Sequence, residues 1–260
     1  MRLNLAALNE IRAMAQPPDD FRQLNITPQW EDVCMDIEPF LRRNIIQGSY
    51  PDVDSYLDTQ FRLLREDFYY PLRSGLLGFK NRMRETKNKH TRIARIDNVC
   101  FYYDVEISEH KTTERDQSLL KYLLKFSTKG LERIQWETSK RLKNRSLLCL
   151  SSDGFSSFHL FTISDRLPSM LSEGKIVATL EGSNSLSAEL KRDVYTMAES
   201  SVYFEAYRSI LSTLQKINHI HFPMEEYILG KSVDPQLPLY LRANEKVRFT
   251  KRFYREIFQD

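Results

Sequence analysis

Between residues 80 and 95 the chain sets Lys80, Arg82, Arg84, Lys87, Lys89, Arg92 and Arg95 against a single acid, Glu85. Ammonium and guanidinium groups at this density displace counterions from a phosphate backbone. The guanidinium fork also matches two phosphate oxygens at once. These seven residues are therefore the candidate set for holding a nucleic-acid backbone. In most proteins a basic run is only a solvated face. Here it adjoins an aromatic-rich stretch in which Tyr102, Tyr103, Tyr122 and Trp136 offer flat surfaces for base stacking. Alternating aromatics also suit the core of a sheet, so their role depends on which face of a strand carries them.

Other chemistries find less support. Gly230-Lys231-Ser232 has the ending of a phosphate-binding loop, but Glu225 stands where that loop needs its first glycine. His219-Ile220-His221 puts two imidazoles on one side of an extended segment without a third ligand nearby in sequence, and hydrogen-bonded surface histidines explain the pair more simply. Ser152-Asp153-Gly154 lacks the glycines of a nucleophile elbow, so no Ser/His/Asp triad is assigned. Cys34, Cys100 and Cys149 are widely spaced and odd in number, which fits neither a disulfide framework nor a zinc site and suggests a reducing compartment.

The elements that must position the basic run begin with residues 55–75. Leu57, Phe61, Leu64, Phe68 and Leu72 recur at helical spacing, while Arg62, Arg65, Glu66 and Arg73 mostly take the other sides. Asp54 or Ser55 is expected to cap the start, Pro71 to kink or end the helix, and Gly75 to close it. Past the basic run the period becomes two. Ile93, Arg95, Asp97 and Val99, then Phe101, Tyr103, Val105 and Ile107, predict one long or broken strand. Further strands are predicted at residues 119–127, at Leu147-Leu148-Cys149-Leu150, over 155–163, at Ile176-Val177-Ala178-Thr179-Leu180 and over 194–197. The segment 130–144 reads equally as a short helix or an irregular strand. Helical spacing returns through Tyr203, Phe204, Tyr207, Ile210, Leu211, Leu214 and Ile217.

The expected fold class is α+β: a small antiparallel β-barrel inserted between two long helices that pair as a stalk, with an irregular N-terminal segment and a C-terminal tail. The expected divisions are an N-terminal tail and extended segment (1–50), the first stalk helix with its basic junction (51–90), the barrel (91–200), the second stalk helix (201–218) and a C-terminal connector (219–260). Length and composition permit this. The chain has 260 residues, 41% of them hydrophobic, and a net charge of only +3 left by 38 basic and 35 acidic side chains, so clustering rather than bulk charge must specify a partner. The apolar N-terminal residues are interrupted by Glu10 and Arg12, and neither a signal peptide nor a membrane span is read.

Four stretches, in order, resemble one family. Tyr56-Leu57-Asp58-Thr59-Gln60-Phe61-Arg62-Leu63-Leu64-Arg65-Glu66-Asp67-Phe68 with Pro71-Leu72-Arg73 is similar to a signature of the NFX-type zinc-finger RNA helicases, superfamily-one motors related to the Upf-type helicases. Pro39-Phe40-Leu41-Arg42 with Asn44-Ile45 and Gly48 resembles its lead-in. Ser139-Lys140-Arg141-Leu142 with Ser146-Leu147-Leu148-Cys149-Leu150-Ser151 resembles its middle. Glu199-Ser200-Ser201 with Tyr203-Phe204-Glu205-Ala206-Tyr207-Arg208 resembles its exit helix. The resemblance implies the region in front of the motor: stalk helix, accessory barrel, returning helix. ATP, magnesium and zinc are implied only for family domains outside this sequence, so no cofactor and no catalytic residue is assigned, and ATP turnover by this chain alone is not expected. The chain reads either as part of a longer helicase or as a stand-alone accessory module. The implied setting is small-RNA-directed silencing, heterochromatin formation or antiviral RNA surveillance, in the cytoplasm or nucleus. Argonaute or RNA-dependent RNA polymerase complexes are the implied protein partners.

Overall fold

The computed structural model describes residues 16–34, 38–86, 92–110, 121–182, 193–231 and 234. A 3-10 turn at Phe21–Gln23 and a short helix α1 (Trp30–Cys34) interrupt an otherwise irregular N-terminal segment. Helix α2 (Val53–Glu85) follows, then strands β1 (Arg95–Ile96), β2 (Val99–His110), β3 (Lys121–Lys125), β4 (Leu147–Ser151) and β5 (His159–Asp165). A short helix α3 (Pro168–Ser172), strands β6 (Lys175–Leu180) and β7 (Tyr195–Ser200), helix α4 (Phe204–Lys216) and a single helical turn α5 (Glu225–Ile228) complete the described elements.

The strands are antiparallel throughout and follow the order β2-β3-β6-β5-β4-β7. Pairing of β7 back onto β2 closes six of them into a barrel, while β1 is appended to β2 as a hairpin. Closure removes the exposed edges that an open sheet of this size would leave. The interior is filled by side chains, among them Tyr122, Leu124, Leu150, Phe161 and Met197. The segment 130–144 is neither helix nor strand. It runs as successive turns that push Leu131, Trp136 and Leu142 into the same interior. Its ambiguous periodicity reflects a plug held by packing, with no ladder of its own.

Helix α2 departs from expectation at both of its ends. Its cap is Asp52, whose Oδ1 accepts from the Ser55 N–H at 2.7 Å. Pro71 lies inside it, and it continues ten residues past Gly75 to Glu85. Tertiary packing explains the extension. A Cβ on Gly75 would lie 2.3 Å from Val99 Cγ2, and one on Gly78 would lie 2.9 Å from Ile96 Cγ2. Glycine at these positions lets the helix axis descend onto the β1–β2 hairpin; at Gly75 it is a docking surface and not a helix stop. The apolar layer between helix and barrel contains Phe79, Phe101 and Phe155, with the rings of Phe79 and Phe101 stacked 4.6 Å apart. Strand β4 is buried along its whole length because α2 covers the face that the barrel interior does not.

The N-terminal half of α2 pairs with α4, as the two apolar stripes require. Phe68 stacks on Phe204 at 5.2 Å and meets Tyr207 at 5.4 Å. Leu57, Phe61 and Leu211 share a third apolar cluster with Phe21, Tyr50 and Leu229. Each such side chain contributes roughly 1.5–3 kcal/mol when covered. The arginines on the other sides of α2 clamp the N-terminal segment. Arg62 reaches both the carbonyl and the carboxylate of Asp19 and bonds Asp58 at 2.7 Å; Arg65 donates to both carboxylate oxygens of Asp32 at 3.0 Å; Arg73 donates to the Asp32 carbonyl at 2.7 Å.

Candidate nucleic-acid interface

Strand β2 carries a bulge between Tyr102 and Val105, where two residues oppose one on β7. Before it, Cys100 and Tyr102 point into the barrel and Val99 and Phe101 toward α2; after it, Val105 and Ile107 point inward. The extra residue thus reverses the alternation, which is why Phe101 and Val105 do not share a face as a regular strand would require. Asp104 makes the bend by adopting φ 53°, a left-handed conformation that aspartate tolerates better than most residues. Tyr103 and Asp104 are thereby turned outward, under the C-terminal half of α2.

That turn opens a cleft of about 800 Å³ between α2 and the barrel wall. Lys80, Met83 and Arg84 line it from the helix, Arg92, Tyr103 and Asp104 from the strand side, and Lys129 and Ser156 from two connecting loops. Of the seven cations expected to hold RNA, Lys80, Arg84 and Arg92 converge here. Arg82 is exposed on α2 outside the cleft lining, and Arg95 is exposed on β1, its Nε–H donating to the Asp97 carbonyl at 2.7 Å. Lys87 and Lys89 lie outside the described residues. Lys129 was not anticipated, because it stands far along the chain and joins the others only through the fold.

The aromatic expectation needs correction. Tyr102, Tyr122 and Trp136 are buried in the barrel interior, where no base could reach them. Tyr103 alone lies in the cleft, half-buried. Its hydroxyl donates to the Ile93 carbonyl at 2.9 Å and accepts from the Ile93 N–H at 2.7 Å, fixing the backbone next to Arg92. The Arg92 guanidinium sits 5.4 Å from the Tyr103 ring centroid, donates to Ser127 Oγ at 3.1 Å and pairs with Asp104. On the far side of the wall, Glu199 is buried inside the barrel. It accepts from the Tyr102 hydroxyl at 2.8 Å and from the Leu142 N–H, while Arg141 Nε–H donates to Tyr102 at 2.9 Å. Burial outweighs these donors and pushes the Glu199 carboxyl above the ordinary glutamate range. This network ties the plug to β2 and β7 beneath the cleft.

The remaining candidates resolve simply. Lys231 pairs with Glu225 at 3.2 Å, so the residue that breaks the phosphate-loop pattern also holds its lysine; Ser232 is outside the described residues. His221 Nδ1 lies 3.0 Å from Asn218 Oδ1, and among the described residues no group of three or more His, Cys, Asp or Glu could hold a metal ion. Also among the described residues, no helix is long and apolar enough to cross a membrane.

Residues 94–201, which span the strands of the barrel from the end of the cationic run onward, match the family model described as the ZNFX1 domain. The chain is 36% identical over 234 residues to NFX1-type zinc finger-containing protein 1 of Homo sapiens, covering 89% of this chain and 12% of that protein. It is 28% identical over 236 residues to the Schizosaccharomyces pombe protein named helicase required for RNAi-mediated heterochromatin assembly 1, covering 90% of this chain and 22% of that one. A Caenorhabditis elegans homolog of the first is 27% identical over 220 residues, 84% of this chain and 9% of the relative. The chain therefore spans only a small part of the length of these curated relatives.

Proposed function

The chain belongs to the family of NFX1-type zinc-finger-containing proteins, with residues 94–201 matching the ZNFX1 domain, and from that premise we propose that it is an RNA-binding accessory region of a Upf-like helicase working in small-RNA-directed silencing. The convergence of Lys80, Arg84, Arg92 and Lys129 on one cleft carries the reading. Cations from a helix, a strand flank and a loop, brought together by tertiary structure, suit a phosphate backbone better than does a run of charge along one exposed face. The name of the S. pombe relative, a helicase required for RNAi-mediated heterochromatin assembly, supports the setting. The proposal assigns the chain binding and not ATP turnover, since Glu225 interrupts the one sequence that approaches a phosphate-binding loop. ATP, magnesium and zinc belong, on this reading, to other domains of the family.

The test is a salt titration of fluorescent single-stranded RNA. Four cations on four phosphates predict a slope near −3 in log K against log salt, at about −0.7 per phosphate for single strands. No affinity at low ionic strength, or a slope near zero, would remove the proposal. A second reading, a module that docks argonaute or RNA-dependent RNA polymerase complexes, draws on Tyr70 and Leu77. These two side chains stand two turns apart on one face of α2 and are 62% and 50% exposed. Substituting both with Ser should leave RNA binding unchanged; loss of a co-purifying silencing partner with RNA affinity intact would favour docking.

A further inference from the structure

We propose that Arg92 and its neighbours form a phosphodiester subsite, and that Asp104 fills it as an anionic placeholder which the RNA backbone must displace. The inference rests on the reading of the cleft as an RNA site and assigns that site a specific point of contact and control. Asp104 is the one carboxylate among the described residues that line the cleft. Its position there is built: it occupies the bulge of β2, with a backbone φ of 53° that few side chains adopt, and such outliers persist where the surrounding structure enforces them. The Arg92 fork is held from three directions: one terminal nitrogen on Ser127 Oγ, the other on the Asp104 carboxylate, the guanidinium beside the Tyr103 ring. Tyr103 in turn locks the Ile93 backbone through both its N–H and its carbonyl.

The fork is therefore preorganised with an oxyanion already on it. A backbone phosphate that took the place of the carboxylate would keep the Ser127 contact, and its neighbours along the same strand would meet Lys80, Arg84 and Lys129 on the cleft walls. The exchange is easy because the Arg92 and Asp104 side chains are 37% and 56% exposed, and an ion pair this open to water contributes little net stability. Released, Asp104 is rehydrated where it stands. The consequence is selective. A ligand with one phosphate must compete with Asp104 and recovers little, whereas a strand that also reaches the other three cations gains enough to displace it.

The experiment measures binding of a fluorescent single-stranded RNA of about twelve nucleotides to the full chain and to the variants D104N, R92Q and the double variant, at low and moderate salt. Asparagine keeps the shape and the tolerance for positive φ while removing the charge. The expected result is that D104N binds about two- to five-fold tighter than the unsubstituted chain, the value of one exposed ion pair. In the R92Q background the same substitution should change affinity by less than about half of that factor. If D104N melts below the unsubstituted chain, Asp104→Gly, which relieves the positive φ and removes the same carboxylate, carries the same expectation. Salt-sensitive binding by the unsubstituted chain with D104N no tighter would overturn the placeholder alone. So would an equal gain with and without Arg92, which would mark a diffuse charge effect. Failure of the unsubstituted chain to bind at low salt would overturn both this inference and the RNA reading.

Discussion

Val99 sits where a side chain on Gly75 would have to go, with 2.3 Å between an added Cβ and its Cγ2. Gly75→Ala should therefore destabilise the fold by about 1–3 kcal/mol, as overpacking does. Val99→Ala in the same chain should recover part of the loss, read by chemical denaturation. An Ala substitution that stabilises, as it would in an exposed helix, would contradict the close docking. Glu199 makes a different prediction. Its carboxyl titrates higher in the folded chain than in the unfolded one because burial disfavours its charge. Its contribution is thus fully present below the unfolded value of about 4.3 and is lost as pH rises through the folded value. The stability of the unsubstituted chain minus that of Glu199→Gln should fall as pH is raised from about 4 and then level off. A difference that rises with pH would mean that the Tyr102, Leu142 and Arg141 contacts outweigh burial. Tyr207, whose hydroxyl donates to Asp67 and is pushed up to about 12, stays neutral throughout that range.

At the scale of elements, the pairing of α2 with α4 turns on Phe68, wedged against Phe204, Tyr207 and Tyr69 and almost fully buried. Phe68→Ala should cost about 3–5 kcal/mol, the loss expected for a large aromatic in a packed core. An effect below about 1 kcal/mol would place the helix interface elsewhere. Both helices were legible in the sequence because Leu57, Phe61, Phe68 and Leu211 repeat at 3.6 residues and bury on that basis. The last ten residues of α2 were not, since Gly75 reads locally as a helix stop and only its close approach to Val99 explains it. The strands were legible from alternation, but the bulge was not. Asp104 looks like any other polar residue in a β pattern, and its left-handed backbone is imposed by the barrel closing between β2 and β7.

For the whole molecule, barrel and helix pair together create a surface that neither has alone. The cationic run pointed to Lys80, Arg84 and Arg92, and sequence order alone marked them. It could not bring in Lys129, nor separate Arg82 and Arg95 from the cleft, nor tell Tyr103 from the buried Tyr102 beside it, since all of these depend on how α2 lies across β2. The most direct test of the central claim compares two charge reversals of equal size. Lys80→Glu, Arg84→Glu and Arg92→Glu together change the cleft, whereas Arg133→Glu, Lys140→Glu and Lys143→Glu change exposed cations outside it. At low salt the cleft variant should lose RNA affinity by a factor of about a hundred or more, and the control by no more than about three-fold, with both chains melting as the unsubstituted one does. Equal losses in the two variants, or unchanged binding in the cleft variant, would contradict the account.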